Sequence, residues 1–306
     1  HLRELNSDSL NLSIKKLSFQ EKSDFRIKNI TFDLKAGKKG GSIENLAILL
    51  PHSHISMSTL YAGWSDMPKN FSTMWLDSVS WHCEPSASII PYDLKAFMPQ
   101  LKNSQSPIEI ETTIMGSEGC LNIPQMHISN GGSLVLDSRI FVQNVFHEPT
   151  YKIDIQRLQT TSRLQQYVTG ILYGQEKEIS PIVTALDSTN VTGFLNFNHD
   201  FQNLKFKIKN KAGNLDIDIK AKKWNQFSAS ISSPRLMTDR IMPQGYAVNE
   251  ASFNINAAGW LKSTDNRPHI ELSAVLSKLL ANHQEYKDVY IDAELKNKQL
   301  GVSLSH

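Results

Sequence analysis

The sequence predicts an all-β protein of antiparallel strands with few short helices. Three observations predict it. Apolar residues alternate with polar ones at period two along the chain, which places them on one face of successive strands. Clusters of glycine and asparagine, the residues that tight turns use for positive φ, separate these runs. Helical periodicity is scarce, and the long apolar runs of strands buried on both faces in a parallel sheet are not found.

The elements follow in order. Leu10, Leu12 and Ile14 alternate with Asn11, Ser13 and Lys15, and after Phe25 and Ile27 the pattern resumes in Ile30, Phe32 and Leu34. The glycine-rich stretch Gly37 to Gly41 carries Lys38 and Lys39, but lacks the spacing of a phosphate loop and precedes no helix, so it is read as a hairpin. Pro91 opens a segment that a second proline, Pro99, closes, predicting a short helix between them. Ile108, Ile110 and Ile114 begin a new set of strands, with a turn at Asn130-Gly131-Gly132 and a further strand over Tyr151, Ile153 and Ile155. Two more short helices are predicted, one from Ser162 to Tyr173 and one from Ser180 to Leu186. A hairpin then joins Leu204, Phe206 and Ile208 to Leu215, Ile217 and Ile219. Its turn near Gly213 predicts that Lys209 faces Asn214, Lys207 faces Asp216 and Lys205 faces Asp218. Phe253, Ile255 and Ala257, then Ile270 to Leu276, then Val289 to Leu295 complete the series.

Three short helices cannot cover this much one-sided sheet. The apolar faces must therefore pack on a second sheet, close into a barrel, or curl round on themselves, and a curled sheet left open along one side holds an apolar gutter. Blocks of strands recur without a linker rich in proline, serine or charge, so residues 1–306 are expected to form one continuous, elongated body with approximate sub-blocks 1–70, 71–190 and 191–306.

Composition removes several classes of function. A chain of 306 residues and 34.5 kDa has ample material for a core. Its 32 basic against 30 acidic side chains provide no field to attract nucleic acid. A hydrophobic fraction of 40% with mean hydropathy of -0.32 fits neither a disordered nor an integral membrane segment. The first residue is His1 and the last residues directly follow a strand-like run, so the chain is read as an excised piece whose leader or anchor would lie elsewhere. Chemistry finds little purchase. His52 and His54 lie two apart but have no third ligand nearby in sequence, so no metal site is expected. Cys83 and Cys120 sit in no nucleophile signature and are read as inert, with a bridge between them left open. Asp216 and Asp218 are explained by the lysines opposite them rather than as an acid and base pair. No catalytic group and no cofactor is expected.

Three stretches resemble the TamB-type translocation and assembly proteins of the AsmA-like envelope family. They are Ser9 to Phe19 with Phe25 to Leu34, the Pro91 to Leu101 segment before fresh strands, and Asn190 to Phe197 followed by the strands at Leu204 to Ile208 and Leu215 to Ile219. The resemblance implies an internal section of a taco-like β-groove spanning the periplasm of a Gram-negative cell, in a protein anchored in the inner membrane. It implies phospholipid acyl chains as cargo between the two membranes, or support of outer-membrane protein assembly, or both. An outer-membrane barrel-assembly protein would be a partner through regions of the full chain not present here. The groove lining would comprise Phe25, Ile27, Phe32, Leu34, Ile108, Ile110, Ile153, Ile155, Leu204, Phe206, Ile208, Leu215, Ile217, Ile219, Phe253 and Ile255. The alternative is a structural or adhesion β-sandwich module that binds protein or glycan through its loops, since a sandwich core shows the same alternation.

Overall fold

A computed structural model describes residues 2–6, 9–22, 25–64, 79–117, 119–162, 164, 188–240, 248–261, 268–296 and 299–305. These residues are built almost wholly of antiparallel strands, which do not close into a barrel. Among the described residues they fall into two compact units that divide between Pro149 and Thr150. Within each unit strands pair across long connections: His54–Trp64 pairs with Val79–Ile89, and Thr150–Thr160 pairs with Thr189–Phe197.

The first unit is a meander in which each strand pairs with the next: β1 (Leu2–Asn6), β2 (Ser9–Gln20), β3 (Arg26–Gly37), β4 (Gly40–Leu49), β5 (His54–Trp64), β6 (Val79–Ile89), β7 (Ile108–Ser117), β8 (Cys120–Asn130) and β9 (Leu134–Gln143). The expected hairpin at Gly37 is present, with Gly37 opposite Gly40 and the two lysines at its tip. A bulge after Ile14 re-phases β2 so that Leu17 faces Ile30, and a second register shift, between Leu17 and Phe19, sets Phe19 opposite Ile27. Without these shifts the two off-phase apolar residues would turn to the polar side.

Between β6 and β7 the expected helix is replaced by two 3₁₀ turns, Pro91–Leu94 and Pro99–Asn103. Helical hydrogen bonding is diverted here. Tyr92 N–H donates to the carbonyl of Ser104 at 3.0 Å, and the Asp93 side chain is held by residues of the β4–β5 turn.

The second unit repeats the meander: β10 (Thr150–Thr160), β11 (Thr189–Phe197), β12 (Phe201–Asn210), β13 (Gly213–Lys222), β14 (Gln226–Leu236), β15 (Val248–Trp260), β16 (His269–Ala281), β17 (Gln284–Lys296) and β18 (Gln299–Ser305). The register of β12 on β13 is the expected one, with Lys209 opposite Asn214, Lys207 opposite Asp216 and Lys205 opposite Asp218. A third 3₁₀ turn, Thr238–Arg240, precedes β15. The helices expected over Ser162 to Tyr173 and Ser180 to Leu186 fall almost entirely on residues outside those described.

Candidate functional site: the apolar face of each meander

Because every strand pairs with its neighbour in sequence, the period-two pattern is converted by register into apolar rows that cross each unit. In the first unit one row runs Leu17, Ile30, Ile48, Ile55, Ala87, Ile110, Ile128, Leu136 from β2 to β9. A second runs Leu12, Leu34, Ile43, Leu60, Cys83, Ile114. In the second unit Ile155, Gly193, Phe206, Ile217, Ile231, Ile255, Ala274, Ile291 and Leu304 form a row across all nine strands. Beside it runs Ile153, Leu195, Leu204, Ile219, Ala229, Ala257, Leu272, Ala293, Val302.

All sixteen residues expected to line a groove lie on or beside these apolar faces, six in the first unit and ten in the second, and each is half-buried. The expectation omitted Ile48, Ile55, Ile128, Leu195 and Ile231, which occupy the same rows. Ile231 is masked in sequence by the serines around it, Ser228-Ala229-Ser230-Ile231-Ser232-Ser233, and only its pairing with Ile217 and Ile255 reveals its place.

The burial of these faces is incomplete. Among the described residues, the buried apolar side chains number eleven and include no isoleucine and no phenylalanine, although these types are normally among the first to be enclosed in a folded core. Leu300, Val302 and Leu304 of β18 remain 62–69% exposed. A sandwich would enclose such rows between two sheets. Here most residues of the rows are only partly buried.

The opposite face is polar and cross-linked. Lys205 lies 2.8 Å from Asp218, Lys35 lies 2.7 Å from Glu44, and Arg235 and Lys278 both reach Glu250, at 2.9 and 3.1 Å. The Ser13 hydroxyl donates to Asp33 at 2.5 Å with Lys15 at 3.2 Å, and this hydrogen bonding holds the Asp33 carboxyl down to about 2. Asp216 and Asp218 are thus members of a lysine–aspartate ladder, with Lys207 4.0 Å from Asp216.

His52, Cys83 and His127 have clear settings in the fold. His52 does not pair with His54: its Nδ1 lies 2.8 Å from Asp93 Oδ1, while Asp93 Oδ2 accepts the His52 N–H at 2.9 Å and the Ser53 hydroxyl at 2.7 Å. Among the described residues no three His, Cys, Asp or Glu side chains converge as metal ligands. Cys83 and Cys120 are both free thiols. Cys83 sits in an apolar row, where burial pushes its thiol up. His127 is bound at 2.6 Å to Asp137, its cross-strand partner. What the arrangement offers chemically is a set of apolar, partly buried rows on each unit, one of which holds the Cys83 thiol. No family model, curated protein or solved structure matches this chain.

Proposed function

We propose that the chain is an internal section of a non-enzymatic lipid conduit of the TamB type, within the AsmA-like envelope proteins, whose apolar face curls into a groove that carries phospholipid acyl chains across the periplasm. The observation that supports this reading is the set of continuous apolar rows on a face that the fold leaves partly exposed. Each methylene laid on such a face gains about 0.8 kcal/mol when fully shielded from water. Neighbouring positions along a row are Ile, Leu, Val, Phe, Ala, Gly or Cys with no carboxylate, ammonium or guanidinium among them, so successive binding positions are close in energy and a chain can slide. Direction must come from outside this section. In the full protein the section would belong to a chain anchored in the inner membrane, with a barrel-assembly partner at the outer membrane.

The test is native mass spectrometry of the purified chain with lipid extraction, followed by transfer of fluorescent phospholipid between donor and acceptor vesicles. Co-purified phospholipid, lost in Ile217→Asp or Phe206→Asp variants with an unchanged far-ultraviolet spectrum, is the expected result. A lipid-free chain, or a folded variant that carries lipid as the wild type does, would count against it.

A further inference from the structure

In the second unit the strands end unequally. At one end the hairpins turn through Lys211-Ala212 and Asn282-His283. At the other, four large apolar side chains stand in solvent: Phe201 40% exposed, Trp224 60%, Trp260 38% and Leu261 52%. Pairing sets them along one end of the unit, where the last cross-strand row of the polar face reads Phe201, Lys222, Gln226, Trp260, His269, Lys296. Trp224 tips the turn between Lys222 and Gln226, and Leu261 N–H donates to the carbonyl of the adjoining Asn225 at 3.0 Å.

The fold holds these side chains outward against local preference. Lys223 and Trp224 occupy the two central positions of a hairpin turn at φ +52° and +53°, where Asn-Gly is favoured and a tryptophan is not. Gln202, 1% exposed, fastens that turn: its Oε1 accepts the Trp224 N–H at 3.1 Å while its Nε2 donates to the carbonyl of Asn198 at 2.8 Å. Trp260 is stacked on His269 at 4.7 Å. It follows Gly259, at φ +152°, where a Cβ would come within 2.0 Å of the His269 carbonyl oxygen. Lys222, Lys223 and Lys296 bring positive charge to the same rim, against Asp200, 3.6 Å from Lys223, with Glu271 and Glu294 one step inward at 3.1 and 3.8 Å from His269.

We propose that this rim seats the second unit on an anionic bilayer surface, with the indoles at headgroup depth and the lysines on acidic headgroups. Indole rings and lysine stems carry an apolar body and a polar tip, which is the chemistry of the membrane interface. The charge at the rim selects acidic lipid over neutral lipid. Docking goes beyond lipid conduction and does not need the apolar rows to carry cargo.

The experiment is flotation of the chain with phosphatidylcholine vesicles with and without phosphatidylglycerol. The chain should float with the acidic vesicles, the Trp224→Ser/Trp260→Ser double variant should lose roughly tenfold in bound fraction, and Lys222→Gln/Lys223→Gln should abolish the preference for acidic lipid. Ile217→Asp, which disables the apolar row, should float as the wild type does. No flotation of the wild type, a double variant that floats normally, or loss of flotation in Ile217→Asp would each overturn the proposal. Displacement from vesicles by soluble dextran would also overturn it, marking the rim as a sugar platform. Lipid co-purification should be unchanged in the double variant, so failure of docking and failure of lipid conduction are read separately.

Discussion

Asp93 joins two segments of the first unit that lie far apart in sequence. Its side chain is 1% exposed, and it ties the turn after β4 to the 3₁₀ segment some forty residues later, while the Ser53 hydroxyl it binds also accepts the Ile90 N–H at 2.8 Å. Burial pushes the Asp93 carboxyl up, but hydrogen bonds from Ser53 and His52 outweigh it and hold the group below its ordinary value. A depressed carboxylate stabilises the fold above its unfolded pKa, and that contribution is lost as pH falls through the lower folded value. Asp93→Ala leaves buried donors without an acceptor and is expected to cost about 1–3 kcal/mol in urea unfolding at neutral pH. The difference from wild type should shrink below about pH 4, where aspartate begins to protonate in the unfolded chain. A neutral-pH stability equal to wild type would show that water replaces the carboxylate. None of this clamp was legible in the sequence, because His52-Ser53 and Asp93 lie far apart and share no periodic signal.

At the scale of elements, the strands and hairpins were legible because their physics is local. Alternation fixes a face, and the Asn210 to Gly213 turn fixes the β12–β13 register, so the lysine–aspartate ladder could be written down before the structure. The bulge in β2 and the 3₁₀ turns after Pro91 were not, since each depends on contacts made across the sheet or to a remote turn. Row continuity also depends on a small residue that sequence reading passed over. Gly193 in β11 lies under Phe206, and a Cβ there would meet the Lys205 carbonyl oxygen at 2.1 Å and the Phe206 ring at 2.8 Å. Gly193→Val is therefore expected to part β11 from β12 or displace Phe206, at a cost of about 1–3 kcal/mol. Hydrogen exchange can locate the effect: protection should fall in β11 and β12 and stay unchanged in β16 and β17. Uniform loss over the second unit would mean that the contact is not local.

For the molecule as a whole, the unfolding thermodynamics should record how little of the apolar pattern is enclosed. Compact domains show a heat-capacity change of about 12–15 cal/mol/K per residue, set largely by apolar surface newly exposed to water. In this chain the isoleucines and phenylalanines of the apolar rows already meet water in the folded state, so scanning calorimetry should return a value below that range. A ligand that covers the rows reverses this deficit. Binding only the folded state at about a hundred times its dissociation constant adds about 2.7 kcal/mol, so a single-chain lysophospholipid below its micellar threshold should raise Tm by several degrees. The heat-capacity change should rise with it, because unfolding then exposes both surfaces. Two separate transitions are expected, one for each unit, and Ile217→Asp should remove the lipid response from the second while leaving the first in place. A compact-domain heat capacity without lipid, together with a Tm indifferent to lipid, would mean that the apolar faces are already covered by protein, and the conduit reading would fall with that result.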